Sequence, residues 1–358
     1  MGKTLSLRKR LVLKLYNRLR KIHVEERTLK TLFWECTLRC NLQCRHCGSD
    51  CRVEAMTPDM PAEDFFNVLD NQITPHVNPN EVLVILSGGE VLVRKDLEQI
   101  GLSLYHRGYP WGLVTNGMAL TRSRFESLLN AGIHAITISL DGFEEHHRYI
   151  RGHRDSFQRA VEAIRMVAGD GSLAWDVVTC VTPALLPRLK EFKEFIYDLG
   201  VREWRLFSIF PHGRAAEDAS LQLSDEEYTD MMQFIEQCRN EGKIATSYGC
   251  EGFLGGYELA VRPTPFECNA GVNTASIRVN GDISGCTSVR ANFTQGNIYR
   301  DNFWDVWQNR FEKFRNRAWA RKGQCAECAM WQYCEGNGMH LYDDDENLMV
   351  CHYNRLTK

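Results

Sequence analysis

The chain of 358 residues lacks any apolar run long enough to cross a bilayer, for which ~18 consecutive residues are needed. Its N-terminus lacks the apolar stretch and small-residue cleavage site of a secretory signal peptide. The formal net charge is -3, so the chain has no basic excess to offset the cost of binding nucleic acid. These absences predict a cytoplasmic protein for which nucleic acid is not a partner.

Cysteine is, by contrast, abundant, with 14 residues. This is about 4% of the chain, below the ~8 to 10% that marks small secreted disulfide scaffolds. In a reducing cytoplasm thiols do not form stable disulfides. The cysteine content therefore predicts metal ligation.

Short runs rich in β-branched and aromatic residues alternate with amphipathic helical patterns. The predicted strands are 31–35, 81–86, 111–115, 135–140, 175–181 and 203–209. The predicted helices are 62–71, 96–106, 122–131, 156–167, 186–199 and 224–239. Six βα units in succession predict a partial (β/α)6 TIM-like barrel of the α/β class, because each crossover helix must bury its apolar face on a parallel sheet. In such barrels the chemistry lies at the carboxyl ends of the strands.

The βα alternation stops near Gly242, after which glycines cluster and two prolines follow. Farther on, Asn280-Gly281 separates two β-rich runs and predicts a tight hairpin. We expect an N-terminal helix in residues 1–30, the barrel in 31–241, and a small cysteine-rich α+β domain in 242–358.

The first 22 residues contain eight lysines and arginines, with Leu11, Leu15 and Leu19 at helical spacing. One interpretation is a basic amphipathic helix that rests on anionic lipid or on an acidic partner, which would keep the protein close to a membrane or to a lipoprotein. The other is a helix that packs on the barrel exterior and exposes a solvated basic face.

Directly after the first predicted strand, Cys40, Cys44 and Cys47 form a C-x3-C-x2-C motif. Three thiolates within eight residues can wrap one 4Fe-4S cluster and leave the fourth iron open to an outside donor. Structural zinc is the alternative, and it would need a fourth ligand, which Cys36 or Cys51 could supply.

The motif and its position resemble the radical SAM superfamily, whose cluster loop follows the first barrel strand. The resemblance implies that S-adenosylmethionine (AdoMet) chelates the open iron and that His46 lies beside its adenine. It also implies AdoMet contacts from the segments SGGE, TNG, SLDG and HHRYIRG. The residues concerned are Gly88, Gly89, Glu90, Asn116, Ser139 and Arg151.

Each of these residues has an expected role and a simpler alternative. The glycine pair lets the backbone approach the methionine moiety, and the Glu90 carboxylate accepts hydrogen bonds from its ammonium group. Arg151 would pair with the AdoMet carboxylate. The alternatives are ordinary turn chemistry at Asn116 and Ser139 and an exposed salt bridge at Arg151.

A second set of cysteines lies in the last 90 residues and closely resembles the SPASM domain, which usually holds two auxiliary 4Fe-4S clusters. The resemblance implies that four cysteines ligate the distal cluster, namely Cys325, Cys328, Cys334 and Cys351. Zinc is the alternative for this set, because C-x2-C pairs also suit zinc ribbons.

The ligands of the proximal auxiliary cluster are incomplete. Cys268 and Cys286 match the SPASM pattern, but Gly338 stands where a further cysteine is usual. Cys250 is a candidate upstream ligand. A three-cysteine cluster with an open iron, a ligand such as His340, and the absence of this cluster all stay open.

The resemblance implies an anaerobic radical SAM oxidoreductase or maturase that abstracts hydrogen from a peptide or protein substrate. A flavodoxin- or ferredoxin-like protein would donate the electron. Some similarity extends to radical SAM/SPASM proteins of a lipoprotein-associated group. Sulfatase maturation is disfavoured, because Thr287 stands where those relatives carry an aspartate base.

Two other functions stay open. The first is a dehydrogenase or epimerase of a small sugar or cyclitol, in which Cys180 or Cys250 could donate hydrogen, although inert packing is the simpler account of Cys180. The second is a non-enzymatic iron-sulfur or zinc protein.

Overall fold

A single ten-stranded sheet organises the chain, whose residues 5–357 are described by the computed structural model. The strand order is β10-β9-β8-β1-β2-β3-β4-β5-β6-β7. The strands are β1 (Thr31–Thr37), β2 (Leu83–Gly88), β3 (Trp111–Thr115), β4 (Ala135–Ser139), β5 (Ala174–Val181), β6 (Glu203–Ser208), β7 (Ala245–Tyr248), β8 (Thr274–Ile277), β9 (Asp282–Ser284) and β10 (Gly296–Asn297).

Strands β1 to β6 confirm the six predicted strands within two residues, and they run parallel as the barrel requires. The predicted α/β fold class is therefore correct. The structure adds a seventh parallel strand, β7, on β6. Its four residues, ATSY, alternate between exposed and buried but contain one β-branched side chain, too weak a pattern to predict a strand.

The predicted hairpin forms around Asn280-Gly281, with β8 and β9 antiparallel. Strand β8 also pairs in parallel with β1, Thr31 lying opposite Thr274. The sheet therefore runs without a break from the barrel into the cysteine-rich segment. The domain limits at 30 and 241 stay a prediction, although Gly242 does end a helix in the left-handed conformation, at φ 69°.

Helices cover the sheet and connect its strands. They are α1 (Leu7–Glu26), α2 (Ala62–Val68), α3 (Leu97–His106), α4 (Arg122–Asn130), α5 (Glu144–Arg151), α6 (Ser156–Ala168), α7 (Leu189–Asp198), α8 (Asp225–Glu241), α9 (Phe303–Asn309), α10 (Glu312–Arg315), α11 (Trp331–Cys334) and α12 (His352–Arg355). The six predicted barrel helices are present. Helix α5 was not predicted, because its eight residues are mostly charged or histidine and show no apolar stripe.

Large aromatic side chains fill the interface between the sheet and its helices. Trp34 on β1 stacks on Phe65 of α2, with ring centroids 4.1 Å apart, and Trp111 and Trp204 are fully buried on β3 and β6. Each such ring removes ~150 to 250 Å² from water, so these side chains dominate the stability of the core. The core holds the strand ends at fixed positions.

Helix α1 packs on the C-terminal part of the chain. Leu13 is buried in a cluster with Phe253, Phe266 and Tyr333. The three leucines that predicted the helix, Leu11, Leu15 and Leu19, instead face solvent. No helix within residues 5–357 has the length and apolar composition needed to cross a membrane.

Candidate metal centres and cofactor site

The loop after β1 gathers the three cysteines of the C-x3-C-x2-C motif. Cys40 and Cys44 are buried and Cys47 is half-buried, and they cluster with Leu42 and Cys51. The neighbouring backbone holds the loop in place, since Cys40 N donates to Arg52 O at 2.7 Å. The loop thus presents three thiols from one short segment.

Burial affects the ionisation of two of these thiols. Burial raises the pKa of Cys40 to about 12 and also raises the pKa of Cys44. Without a metal both would stay protonated at neutral pH, whereas a bound metal stabilises the thiolates. Three clustered thiols from one short loop are a donor set that fits an iron-sulfur cluster.

Cys51 is a fourth thiol beside this loop. A hydrogen bond from Cys51 is the main cause that lowers the pKa of Cys47 to about 5. Cys36, the other candidate for a fourth zinc ligand, instead donates to Ser87 O at 3.6 Å. A four-thiol site would therefore use Cys51.

The glycine pair after β2 allows close packing against the cluster loop. Gly88 has φ 135°, and a Cβ at Gly89 would lie 2.2 Å from Arg39 O. A side chain at either position would push the two loops apart. The glycines thus serve the approach of β2 to the cysteine loop.

Glu90 is fully buried, and its carboxylate ties the end of β2 to the end of β3. Its Oε1 accepts a hydrogen bond from Thr115 Oγ1 at 2.7 Å, and its Oε2 accepts one from Asn116 N at 2.7 Å. Burial raises the pKa of Glu90. Glu90 therefore orders the strand ends, in addition to the expected contact with an ammonium group.

Asn116 links β3 to the cysteine loop. Its side-chain nitrogen donates to Asn41 Oδ1 at 2.8 Å and lies 3.9 Å from Cys40 Sγ. A turn residue with only local bonds would not reach this loop, so turn chemistry alone does not account for Asn116.

Arg151, at the end of α5, is buried rather than exposed. Its Nε donates to Asp141 Oδ2 at 2.7 Å, and its Nη1 lies 3.8 Å from Cys44 Sγ. The exposed salt bridge considered from the sequence is therefore wrong. The buried guanidinium lies where it can face both a cluster thiolate and a ligand carboxylate.

Asp141 is the site residue that the sequence did not single out. It follows Ser139, which is itself buried at the end of β4. Although burial opposes ionisation, the charge of Arg151 holds the pKa of Asp141 at about 2. Asp141 Oδ1 also accepts from Cys180 N at 2.9 Å, which joins β4 to β5. Its place after the strand, within SLDG, was the available signal.

His46 lies beside the same carboxylate, with Nε2 3.4 Å from Asp141 Oδ2. Burial lowers the pKa of His46 to about 4, so the ring is neutral. Its Nδ1 is buried and has no hydrogen-bond partner among the described residues, as is also true of Ser87 Oγ. Such unpaired polar atoms are costly and fit a site that receives a polar ligand.

Cys180, at the end of β5, belongs to this site. Its Sγ and the nearest ligand atoms of His46 and Asp141 lie within 4.8 Å of one another. Burial raises the pKa of Cys180, so the thiol keeps its S–H bond at neutral pH. A role for Cys180 as a hydrogen donor stays a prediction, beside the simpler account of inert packing.

The second set of thiols meets in the C-terminal segment. One cavity is lined by Cys325, Cys328, Cys334 and Cys351. Asn337 bridges two of them, since its backbone N–H donates to Cys334 Sγ at 3.2 Å and its Nδ2 lies 3.8 Å from Cys351 Sγ. All four cysteines expected for the distal cluster are thus brought together.

A third group consists of Cys250, Cys268 and Cys286. Surrounding protein and the charges of Cys286 and Cys268 raise the pKa of Cys250 to about 11, although the residue is exposed to solvent. His340 packs on Phe210, with ring centroids 4.9 Å apart, and its Nε2 has no hydrogen-bond partner among residues 5–357.

Glu251, next to Cys250, was also missed from the sequence. It is buried, and its Oε2 accepts from Ser208 Oγ at 2.5 Å and from Tyr248 Oη. Burial raises the pKa of Glu251 to about 7. Because these partners come from β6 and β7, only the folded sheet reveals the network.

Comparisons with known proteins agree with this geometry. The Radical SAM superfamily model matches residues 34–199, and the SPASM model, an iron-sulfur cluster-binding domain, matches residues 268–329. The first covers the cysteine loop and strands β2 to β5. The second covers Cys268, Cys286 and the start of the four-cysteine set, and Cys250 lies outside it.

Two proteins of known activity are similar to most of this chain. The AdoMet-dependent heme synthase of Methanosarcina barkeri is 26% identical over 332 residues, which cover 87% of this chain and 92% of that protein. The mycofactocin maturase MftC of Mycolicibacterium smegmatis is 28% identical over 323 residues, which cover 86% of this chain and 78% of that protein.

The fold is similar to that of native anSMEcpe with bound AdoMet, with a TM-score of 0.71 and 17% identity over 92% of this chain and 94% of that one. The same protein with bound AdoMet and Cp18Cys peptide gives a TM-score of 0.69 over the same shares, again at 17% identity. At this identity the likeness concerns the fold alone.

Both predicted domains are therefore present, and the non-enzymatic alternative is wrong. The chain is a radical SAM enzyme with a SPASM domain, and its cofactors are 4Fe-4S clusters and S-adenosylmethionine.

Proposed function

We propose that this enzyme modifies a peptide or protein by abstracting a hydrogen atom from it. The observation that carries this proposal is the match to the mycofactocin maturase MftC across both the barrel and the SPASM domain. The peptide bound to anSMEcpe, which has the same fold, adds support.

The chain's own residues would hold the first cluster through Cys40, Cys44 and Cys47. Asn116 and Arg151 place N–H groups near two of these sulfurs, at 3.9 and 3.8 Å. Such donors stabilise the thiolate charge and tune the cluster. When bound, the cluster and AdoMet supply a 5'-deoxyadenosyl radical, which removes a hydrogen atom from the substrate.

The polar strand ends would orient AdoMet. Arg151 offers a cation to its carboxylate, while Glu90, after β2, and Ser139, at the end of β4, offer oxygen atoms. His46, neutral and with a free Nδ1, offers a ring beside the adenine. Asp141 would hold Arg151 in place, because its carboxylate is already committed to the Arg151 Nε–H.

The C-terminal thiols would hold one complete auxiliary cluster and one with an open position. Four cysteines line the first site. Cys250, Cys268 and Cys286 supply only three thiols for the second, so one iron there would be free to bind substrate. Cys250 is exposed to solvent, so a substrate could reach it.

Metal content tests the cluster assignment. Anaerobically reconstituted enzyme should lose about four irons when Cys40, Cys44 and Cys47 are all replaced by alanine, and retain about eight if both auxiliary clusters exist. Cys238→Ala is the matched control, since Cys238 is a buried thiol on α8. Zinc in place of iron would contradict the assignment.

Substrate tests distinguish peptide modification from its alternatives. Reduced holoenzyme incubated with AdoMet and small peptides encoded beside its gene should change the mass of one of them. The similarity to a heme synthase favours a second candidate, AdoMet-dependent heme synthesis, which would instead yield a heme absorbance band when a porphyrin precursor of heme replaces the peptides. Consumption of a small sugar or cyclitol without a peptide mass change would support the remaining alternative.

The electron source also stays a proposal. A flavodoxin- or ferredoxin-like protein should support AdoMet cleavage when it replaces dithionite. Failure of both reductants to yield 5'-deoxyadenosine would contradict the radical mechanism itself.

A further inference from the structure

Helix α1 exposes a continuous apolar stripe. Five aliphatic side chains recur at spacings of four, four, four and three residues, which places them on one side of a helix. Their exposed fractions are Leu7 76%, Leu11 61%, Leu15 60%, Leu19 41% and Ile22 47%. The stripe is about 22 Å long at 1.5 Å per residue.

Cations border this stripe along its whole length. The exposed basic residues of the helix are Arg8, Arg10, Lys14, Arg18 and Lys21. Acidic residues are absent from the helix until Glu25 and Glu26 in its last turn. The outer face of α1 is therefore apolar and positively charged at once.

The opposite face of α1 is fixed to the protein. Leu13 is 2% exposed, and Asn17 donates through Nδ2 to Gln332 O. Arg20 pairs with Glu335, which follows α11. These contacts hold the leucines outward, so the helix cannot turn to bury them against its own domain.

We propose that α1 docks the enzyme on the surface of an anionic phospholipid bilayer. The leucines would enter the boundary between headgroups and acyl chains, and the flanking cations would meet the phosphates. A bilayer suits this face better than a folded partner does, because the aliphatic side chains project separately from a convex helix. A protein would need a matching groove of opposite charge.

Vesicle flotation of the full-length, anaerobically reconstituted holoenzyme tests this proposal. We expect binding to phosphatidylcholine vesicles that contain about 30% phosphatidylglycerol, and at least about tenfold weaker binding to pure phosphatidylcholine. Binding should weaken as salt rises, because the charge attraction is screened.

Two variants separate the apolar and the charged contributions. Leu11→Gln with Leu15→Gln should weaken binding about tenfold, and Lys14→Gln with Arg18→Gln should also weaken it and reduce its salt dependence. Leu102→Gln is the matched control, since Leu102 is a 40% exposed leucine on α3. All variants should cleave AdoMet at the rate of the parent enzyme, which shows that they are folded.

Several results would overturn the proposal. One is equal binding to neutral and anionic vesicles, and another is undiminished binding by the double leucine variant. Dimerisation that is lost in the double leucine variant, without vesicle binding, would identify a second copy of the chain. Binding to polyglutamate but not to anionic vesicles would identify an acidic protein as the partner.

Discussion

The two ends of the chain collect thiols in different ways. Cys40, Cys44 and Cys47 come from one loop at the barrel strand ends. The four-cysteine set instead adds Cys351 to the segment 325–334, and the third group is spread over residues 250–286. The first set lies beside a buried cation, Arg151, and the four-cysteine set lies beside the amide of Asn337. A local loop can be recognised from spacing, while a dispersed set depends on the fold.

The largest expected effect tests whether the N-terminal cysteine loop functions independently of the C-terminal cysteine sets. Replacing Cys40, Cys44 and Cys47 by alanine should lower AdoMet cleavage at least about 100-fold, because the cofactor then has no open iron to bind. Replacing Cys334 and Cys351 by alanine should remove about four irons and leave AdoMet cleavage within a few fold. Production of 5'-deoxyadenosine and iron content measure both outcomes. Equal loss of cleavage in both variants would show that the regions act as one unit.

The next prediction concerns the stability that depends on the buried guanidinium of Arg151 beside the N-terminal cysteine loop. Asp141→Asn should destabilise the protein by about 3 to 5 kcal/mol, because it leaves Arg151 buried without its counter-charge. Anaerobic urea unfolding measures the change. Glu162→Gln is the control, since its pair with Arg159 is about half exposed and should contribute less than about 1 kcal/mol. Similar values for the two variants would mean that Arg151 is not buried.

The two asparagines provide a matched pair of smaller effects. Asn116→Ala should slow AdoMet cleavage about tenfold, because it removes the bond to Asn41 and the donor near Cys40. Asn337→Gly should leave cleavage nearly unchanged and increase iron loss from the C-terminal site. Glycine is chosen because Asn337 has φ 64°, where alanine would be strained. The reverse pattern would contradict the separation of the two regions.

The smallest expected effect concerns Cys51. If the loop binds a three-cysteine cluster, Cys51→Ser should leave iron content and AdoMet cleavage within about twofold, because serine preserves the shape of the side chain. A four-thiol site would instead lose its metal. Cys36→Ser gives the comparison, since Cys36 bonds to Ser87 O away from the loop.

Much of the barrel follows from the sequence, because its strands are apolar, β-branched and regularly spaced. The four-residue β7 and the charged α5 carry no such pattern, so tertiary contacts decide them. Helical spacing likewise predicted α1, but it could not reveal which face meets the protein. Leu13, rather than Leu11 or Leu15, makes that contact.

The sequence can predict a candidate site residue when that residue lies directly at or after the end of its own strand. The roles of Asp141 and Glu251 depend instead on partners from other elements, such as Arg151, His46 and Ser208. The sequence shows that Asp141 follows a strand, but it does not show which partners either carboxylate meets. Their discovery needed the folded sheet, and the individual site assignments stay predictions until they are tested.

The pairing of β8 with β1 affects how the protein must be made. The strand that leads into the first cysteine loop is synthesised early, yet one of its edges stays open until residues 274–277 leave the ribosome. An unpaired edge is a template for aggregation, so a fragment that ends near Gly242 should associate rather than fold alone. Residues 274–277 therefore close the open edge of the strand that leads into the first cysteine loop.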